Sequence, residues 1–165
     1  MTSILKVDTI QTAAGGTPTA ADLGLNVSGS VLQVVNYKTN TQYTSTSSTF
    51  ADMPNFSASI TPKSASSTIL LLARVSVRHS GYNYGIVRWK RNGTTLDYPN
   101  LNHETGIGTT SADIRLLNPY IIYDNPATTS AVTYSADFAV HSNAGTFTVN
   151  SNAIWSYITL MEIAG

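Results

Sequence analysis

The side chains best equipped for chemistry are three histidines, His79, His103 and His141, and four aspartates, Asp97, Asp113, Asp124 and Asp137. Histidines that hold a metal come with further ligands at close spacing, because one ion needs several donors converging on it. These three are far apart in the chain and none has a second ligand nearby, so they read as solvent-facing or strand-end residues. His103 and Glu104 are adjacent and resemble a catalytic dyad on paper. Neighbours on an extended chain point to opposite sides, however, and no Ser in a nucleophile elbow accompanies them. The aspartates could supply the carboxylate pair of a glycosidase, but two lie at a turn or hairpin, where Asp is a structural choice. Gly106-Ile107-Gly108 follows no strand–helix unit and reads as a flexible loop rather than a phosphate cradle. Cys is absent, which removes a thiol nucleophile, a thiolate zinc site and any disulfide. The sequence nominates no catalytic residue, no metal ligand and no cofactor.

What is left is recognition chemistry. Arg74, Arg78, Arg88, Lys90 and Arg91 would form a basic patch for phosphate or acidic sugar if they shared a face, but Arg88 is expected to have Asp97 opposite it. Tyr82, Tyr84, Asn102 and His103 suit a sugar better, since aromatic faces stack on sugar rings while Asn and His bond to hydroxyls. The competing reading packs the two tyrosines at a subunit boundary. Net charge is zero and only 11% of residues are charged, too little cationic surplus for a nucleic-acid partner. No apolar run approaches the twenty or so residues that cross a bilayer, so no membrane insertion is expected. The first eleven residues lack the pattern of a secretory signal.

The elements that must position these residues are strands. Ser and Thr make up about a quarter of the 165 residues and Tyr outnumbers Phe, a bias that fits half-buried strands. The organising stretch runs from Ser57 to Arg78. Phe56, Ala58 and Ile60 alternate with polar residues, Pro62 stops the strand, and residues 63–67 read as an exposed turn. Ile69, Leu71, Ala73, Val75 and Val77 then line the deepest core face. Opposite them, Leu70 and Leu72 give way to Arg74, Ser76 and Arg78.

Val31 to Tyr37 opens the domain, and residues 38–48 read as a loop or irregular edge. Asn92-Gly93 is the strongest signal for a tight hairpin. It sets Trp89 against Leu96, Arg88 against Asp97 and Val87 against Tyr98. Pro99 ends that hairpin and residues 99–111 form the longest loop. A strand from Ile114 to Tyr123 is interrupted near Pro119, and residues 124–127 turn. Val132, Tyr134, Ala136, Phe138 and Val140 alternate cleanly, and Phe147 and Val149 continue the pattern. The closing strand, Trp155 to Ile163, sets Tyr157, Thr159, Met161 and Ile163 on one face and Ile158, Leu160 and Glu162 on the other, as a central strand would. The expectation is an all-β chain, an antiparallel jelly-roll-like β-sandwich of about eight strands over residues 31–165. Residues 1–30 precede it as an extended arm, with a short strand over residues 4–10 and one helical turn over residues 17–24. That arm cannot bury Ile4, Leu5, Val7, Ile10 and Leu23 by itself, so its own domain or a neighbouring chain must hold it.

The opening ILKVDTIQTAAGGTPTAADLGLNVSGSVLQVV resembles the N-terminal segment of phage tail-fibre and related virion proteins, especially from phages of marine bacteria and cyanobacteria. FSASITPKSASSTILLLARVSV, VRWKRNGTTL, YDNPATTSAVTYSADF and the closing ITLMEIAG are similar to their recurrent C-terminal domain. The resemblance implies a homotrimer in the virion, non-enzymatic, with residues 1–30 docking onto other virion proteins and a knob of the tumour-necrosis-factor type projecting outward. An outward knob of this kind leaves contact with host cell-surface glycan open, and Tyr82, Tyr84, Asn102 and His103 are the candidates for it. Only about thirty residues precede the globular part, which leaves a short tail appendage, a head fibre or a capsid decoration open. The rival from another class is a carbohydrate-binding module. A depolymerase would need a longer β-helical body and a carboxylate pair.

Overall fold

Thirteen residues in one strand, β4 (Thr68–Ser80), set the architecture, because both of its edges are used along almost their whole length. The structure is a computed structural model that describes residues 9–18, 23, 28–80, 85–96, 103–105, 114–141 and 145–165, with residues 103–105 and 114 described by backbone alone. Within these residues the chain forms β1 (Val31–Thr39), β2 (Tyr43–Ser45), β3 (Ala51–Ile60), β4, β5 (Gly85–Arg91), β6 (Thr94–Thr95), β7 (His103–Thr105), β8 (Ile114–Asp124), β9 (Val132–Val140), β10 (Thr146–Val149) and β11 (Ser156–Ile163). A single 3-10 turn over Ser151–Ala153 joins the last two. Eleven strands thus stand where the sequence pattern showed about eight. β2 and β7, three residues each, are too short to display an alternation, and of the second hairpin arm expected to run to Pro99 the described residues hold Thr94 and Thr95 as β6.

Every pairing is antiparallel, and the strands form two sheets. In sheet A, β8 lies along one edge of β4, while β11 and then β10 share the other edge end to end; β1 pairs with β11 and β2 with β10. In sheet B the order is β3, β9, β5, and the far edge of β5 is again shared, by β7 and β6. The sheets face each other as a sandwich. Ile69, Leu71, Val75, Ile158 and Leu160 point inward from sheet A against Phe56, Val87, Trp89, Tyr134 and Phe138 from sheet B. Trp89 packs 5.9 Å from Phe56 and 5.7 Å from Tyr120, and Phe138 lies 5.9 Å from Phe147, tilted contacts of the kind aromatic quadrupoles favour. Gly85 sits so close to Phe147 that a Cβ there would strike the ring.

Several local expectations are corrected. Ser67 is fully buried, although residues 63–67 read as an exposed turn. Of the two readings for residues 38–48, the irregular edge holds, since β1 continues to Thr39 and β2 forms an edge of sheet A. Pro119 does not interrupt β8, which pairs with β4 straight through Arg74↔Pro119. A proline is tolerated there because β8 is an edge strand among the described residues, and an edge position needs no ladder donor. Asn92 and Gly93 both have positive φ, 50° and 81°, as a two-residue turn requires, and Leu96 N–H donates to Trp89 O at 2.9 Å, the expected register. Beyond that point Val87 faces His103 of β7; the expected partners Asp97 and Tyr98 lie outside the described residues.

Where β10 gives way to β11 along β4, the ladder would have a gap. Side chains fill it. Ser156 Oγ accepts from Ser76 N–H at 2.9 Å and donates to Asn150 Oδ1, Asn150 N–H donates to Ser76 O at 2.8 Å, and Asn150 Nδ2 reaches Thr41 O at 2.8 Å. Asn150, Ser76 and Ser156 are buried polar residues and this mutual bonding satisfies them. The arm contributes little to the described structure. Residues 12–16 make a turn closed by Gly15 N–H to Thr12 O at 2.8 Å, and most of the strand and helical turn expected in the arm lie outside the described residues.

Candidate functional site

The sequence singled out Tyr82, Tyr84, Asn102 and His103. The first three lie outside the described residues, and of His103 the backbone alone is described, in β7. His79 is not solvent-facing: it is buried at the end of β4, its ring 5.8 Å from that of Phe147. Asp124 and Asp137 are tied into ion pairs, and the basic residues do not share a face. Arg88 and Lys90 lie on the outer face of sheet B. Arg88 meets Asp137, directly across the β5–β9 ladder, through Nε at 3.0 Å and a terminal nitrogen at 2.6 Å, rather than Asp97, which lies outside the described residues. Lys90 bonds to Asp52, with Asp137 3.7 Å away. Arg91 reaches Asp124 at 2.8 Å, and Tyr134 donates to the same carboxylate at 2.6 Å.

Arg74 is on the other side of the molecule, on the outer face of sheet A. The ladders align this face into rows across four strands. Tyr123, Leu70, Met161 and Val34 make the first row; Ile121, Leu72, Thr159 and Asn36 the second; Pro119, Arg74, Tyr157 and Lys38 the third. Along β8 the apolar residues of this face are strongly exposed: Tyr123 59% and Ile121 63% in the first two rows, and Leu117 49% one position beyond the third, opposite Ser76. They alternate with buried Tyr120 and Ile122, so β8 is apolar on both faces while only one meets the core. Burial pushes the Tyr120 hydroxyl well above the usual tyrosine pKa, against a smaller lowering from its hydrogen bond with Asn118.

At the opposite margin of the same face the chemistry changes. Tyr157 stands between Lys38 and Arg74 in the third row, with the Arg74 guanidinium carbon 4.8 Å from its ring centroid. Lys38 Nζ lies 4.8 Å from the ring of Trp155, which precedes β11. Both rings remain 38% exposed. Asn36, Tyr37, Lys38, Tyr157, Ile158 and Thr159 line a groove of about 290 Å³, where Thr159 Oγ1 donates to Asn36 Oδ1 at 2.8 Å. No carboxylate among the described residues pairs with Lys38 or Arg74. Sequence reasoning missed this group, because Lys38 and Trp155 are brought together only by the β1–β11 register.

Glu162 marks the far end of β11. Its side chain turns inward and is fully covered, accepting from Gln33 Nε2 at 2.6 Å and from the N–H groups of Lys63 at 2.7 Å and Ser64 at 3.3 Å. Burial acts to raise the pKa of this carboxyl, but the bonds from Gln33, Ser67 and the two backbone groups outweigh it and hold the pKa below the ordinary value. Its position beside the turn explains why Ser67 is buried. The carboxylate clamps residues 63–64 onto β11. Among the described residues no group of His, Asp and Glu converges as a metal site would.

No family model matches the chain, and neither does any curated protein. Among solved structures it is similar to the crystal structure of the infectious bursal disease virus VP2 subviral particle, at 15% identity and a TM-score of 0.41, and to the structure of the infectious bursal disease virus Gx strain, at 13% and 0.39. Each likeness covers 82% of this chain and 38% of the other, so the chain spans well under half the length of the structures it matches. A likeness of this degree carries nothing about partner, assembly or activity. The fold rests on the strand pairings themselves.

Proposed function

We propose that the chain is a non-enzymatic structural protein of a bacteriophage virion. It is a homotrimer whose residues 1–30 dock onto other virion proteins and whose sandwich projects outward as a short tail fibre, head fibre or capsid decoration. The resemblance of the arm and closing strand to virion appendage proteins motivates the reading. One structural observation supports it: the rows of Leu117, Ile121, Tyr123, Leu70 and Leu72 on the outside of β8 and β4. Contiguous exposed apolar surface marks a contact with another molecule, and homo-oligomers of closed symmetry reuse such a face on every subunit. Pro119 lacks the donor that edge-to-edge pairing would need, so the face, not the edge, is the contacting surface.

Light scattering of the purified chain should give three times the 17.6 kDa subunit mass. Combining Leu117→Glu with Ile121→Glu should yield a folded monomer, because each buried apolar anchor in a subunit contact is worth about 2 kcal/mol or more. A wild-type monomer at micromolar concentration overturns the trimer. A second reading, a carbohydrate-binding module, is favoured by the cationic and aromatic groove at the other margin of sheet A.

A further inference from the structure

We infer that the groove between β1 and β11 binds an acidic saccharide, a sugar chain bearing carboxylate or sulfate groups. Arg88, Lys90 and Arg91 are neutralised by Asp137, Asp52 and Asp124, Lys63 Nζ donates to Leu32 O at 3.1 Å, and Arg78 and Arg115, opposite each other on β4 and β8, have interactions of their own. Lys38 and Arg74 differ. Each is held over an aromatic ring instead of a carboxylate, on either side of Tyr157. A ring quadrupole fixes a cation without cancelling its charge, so both positive groups are pre-positioned and still available.

The rows of this face hold no acidic residue, so a second copy meeting the groove two-fold would set cation against cation. The occupant must bring the negative charge. The remaining lining favours a sugar over an acidic peptide. Half-exposed Tyr157 in the lining, and Trp155 beside it next to Lys38, offer ring surface for stacking, and Asn36 Nδ2 stays free to donate because its Oδ1 takes the Thr159 hydroxyl. The groove, at about 290 Å³, falls at the lower end of small-ligand sites, large enough for a saccharide unit and too small for a folded partner. Its lining strands, β11 and β1, lie two and three strands away from β8, roughly 10 and 14 Å across the sheet, so a subunit contact along β8 leaves the groove open, while Arg74 on β4 stands between the two. The inference needs the fold and not the trimer.

The chain supplies its own reporter. Of its two tryptophans, Trp89 is 1% exposed in the core and Trp155 stands at the groove. Titration with polygalacturonate oligomers and with dextran sulfate should change tryptophan emission and retard the protein in affinity gels, whereas neutral dextran should do neither. Raising the salt concentration should weaken the response. Lys38→Gln and Arg74→Gln should each weaken retardation by about ten-fold, as loss of a charge-assisted bond does, with subunit mass by light scattering unchanged. An equal response to neutral dextran, binding unaffected by either variant, or competition by a polyglutamate peptide as strong as by the saccharide would overturn the proposal. Because mass and saccharide binding are read on the same samples, a missing trimer and a missing ligand are told apart.

Discussion

The two outer faces of the sandwich solve the same problem in opposite ways. On sheet B, Arg88 and Lys90 are answered by Asp137 and Asp52, Ser59 bonds to Thr133 at 2.7 Å, and the Arg88 guanidinium lies 3.7 Å from the Phe50 ring centroid. Among the described residues, those cations are answered within one chain. On sheet A the rows begin apolar at β8 and end cationic at β1, and neither kind of group finds its complement among the described residues. Two faces of one fold, drawn from the same hydroxyl-rich composition, thus divide the work: one closes on itself and the other is left for partners.

The comparison is broken most severely at Asp137. The residue is 3% exposed and serves two cations, so Asp137→Asn leaves Arg88 with no carboxylate among the described residues and Lys90 with Asp52 alone. The expected cost is about 3 kcal/mol, seen in thermal unfolding as a Tm lower by roughly 6–12 °C. A change within experimental error would mean that sheet B is not internally closed. Next in size is Glu162, where sheet A too satisfies a carboxylate internally. A folded pKa held below the unfolded value of 4.5 contributes stability that is full above pH 4.5 and is lost as pH falls through the folded pKa. Glu162→Gln should cost about 2 kcal/mol near neutrality, and the gap from wild type should close in acid. Denaturant unfolding at pH 7 and pH 3 measures this, and a gap that widens in acid reverses the assignment. The smallest effect sharpens the contrast. Arg74→Gln should change stability by no more than about 0.5 kcal/mol, because its charge faces the half-exposed Tyr157 ring rather than a carboxylate, and such an exposed contact is weak. A loss as large as that at Asp137 would show that Arg74 is structural.

Much of this was legible in the sequence because alternation survives wherever one face is buried. Phe56 to Ile60, Ile69 to Val77 and Val132 to Val140 point as their period demands, and Asn92-Gly93 turns as its φ angles require. What escaped was set by pairing between distant segments. Asp137 pairs with Arg88 because β9 lies beside β5, which no local pattern announces. In β8, Leu117, Ile121 and Tyr123 are as apolar as Tyr120 and Ile122, so hydrophobicity could not tell the core face from the outer one. The groove was hidden for the same reason: Lys38, Arg74 and Trp155 belong to three separate stretches. The apolarity of both faces of the closing strand was the available clue, and it led to a central strand without revealing the cations flanking it.

The divided edge of β4 has a consequence in time. Its partners arrive from separate parts of the chain: β8 covers one side, β10 takes one end of the other, and Thr68 to Arg74 wait for β11. Pairing across such sequence distances slows folding, because a long loop must be ordered before any contact rewards it. The β5–β6 hairpin can form early, while sheet A closes only when residues 156–163 reach β4. Until then an apolar strand with an open flank is exposed to other chains, the condition in which misassembly competes with folding. Copies folding close together are therefore most vulnerable just before the last strand enters.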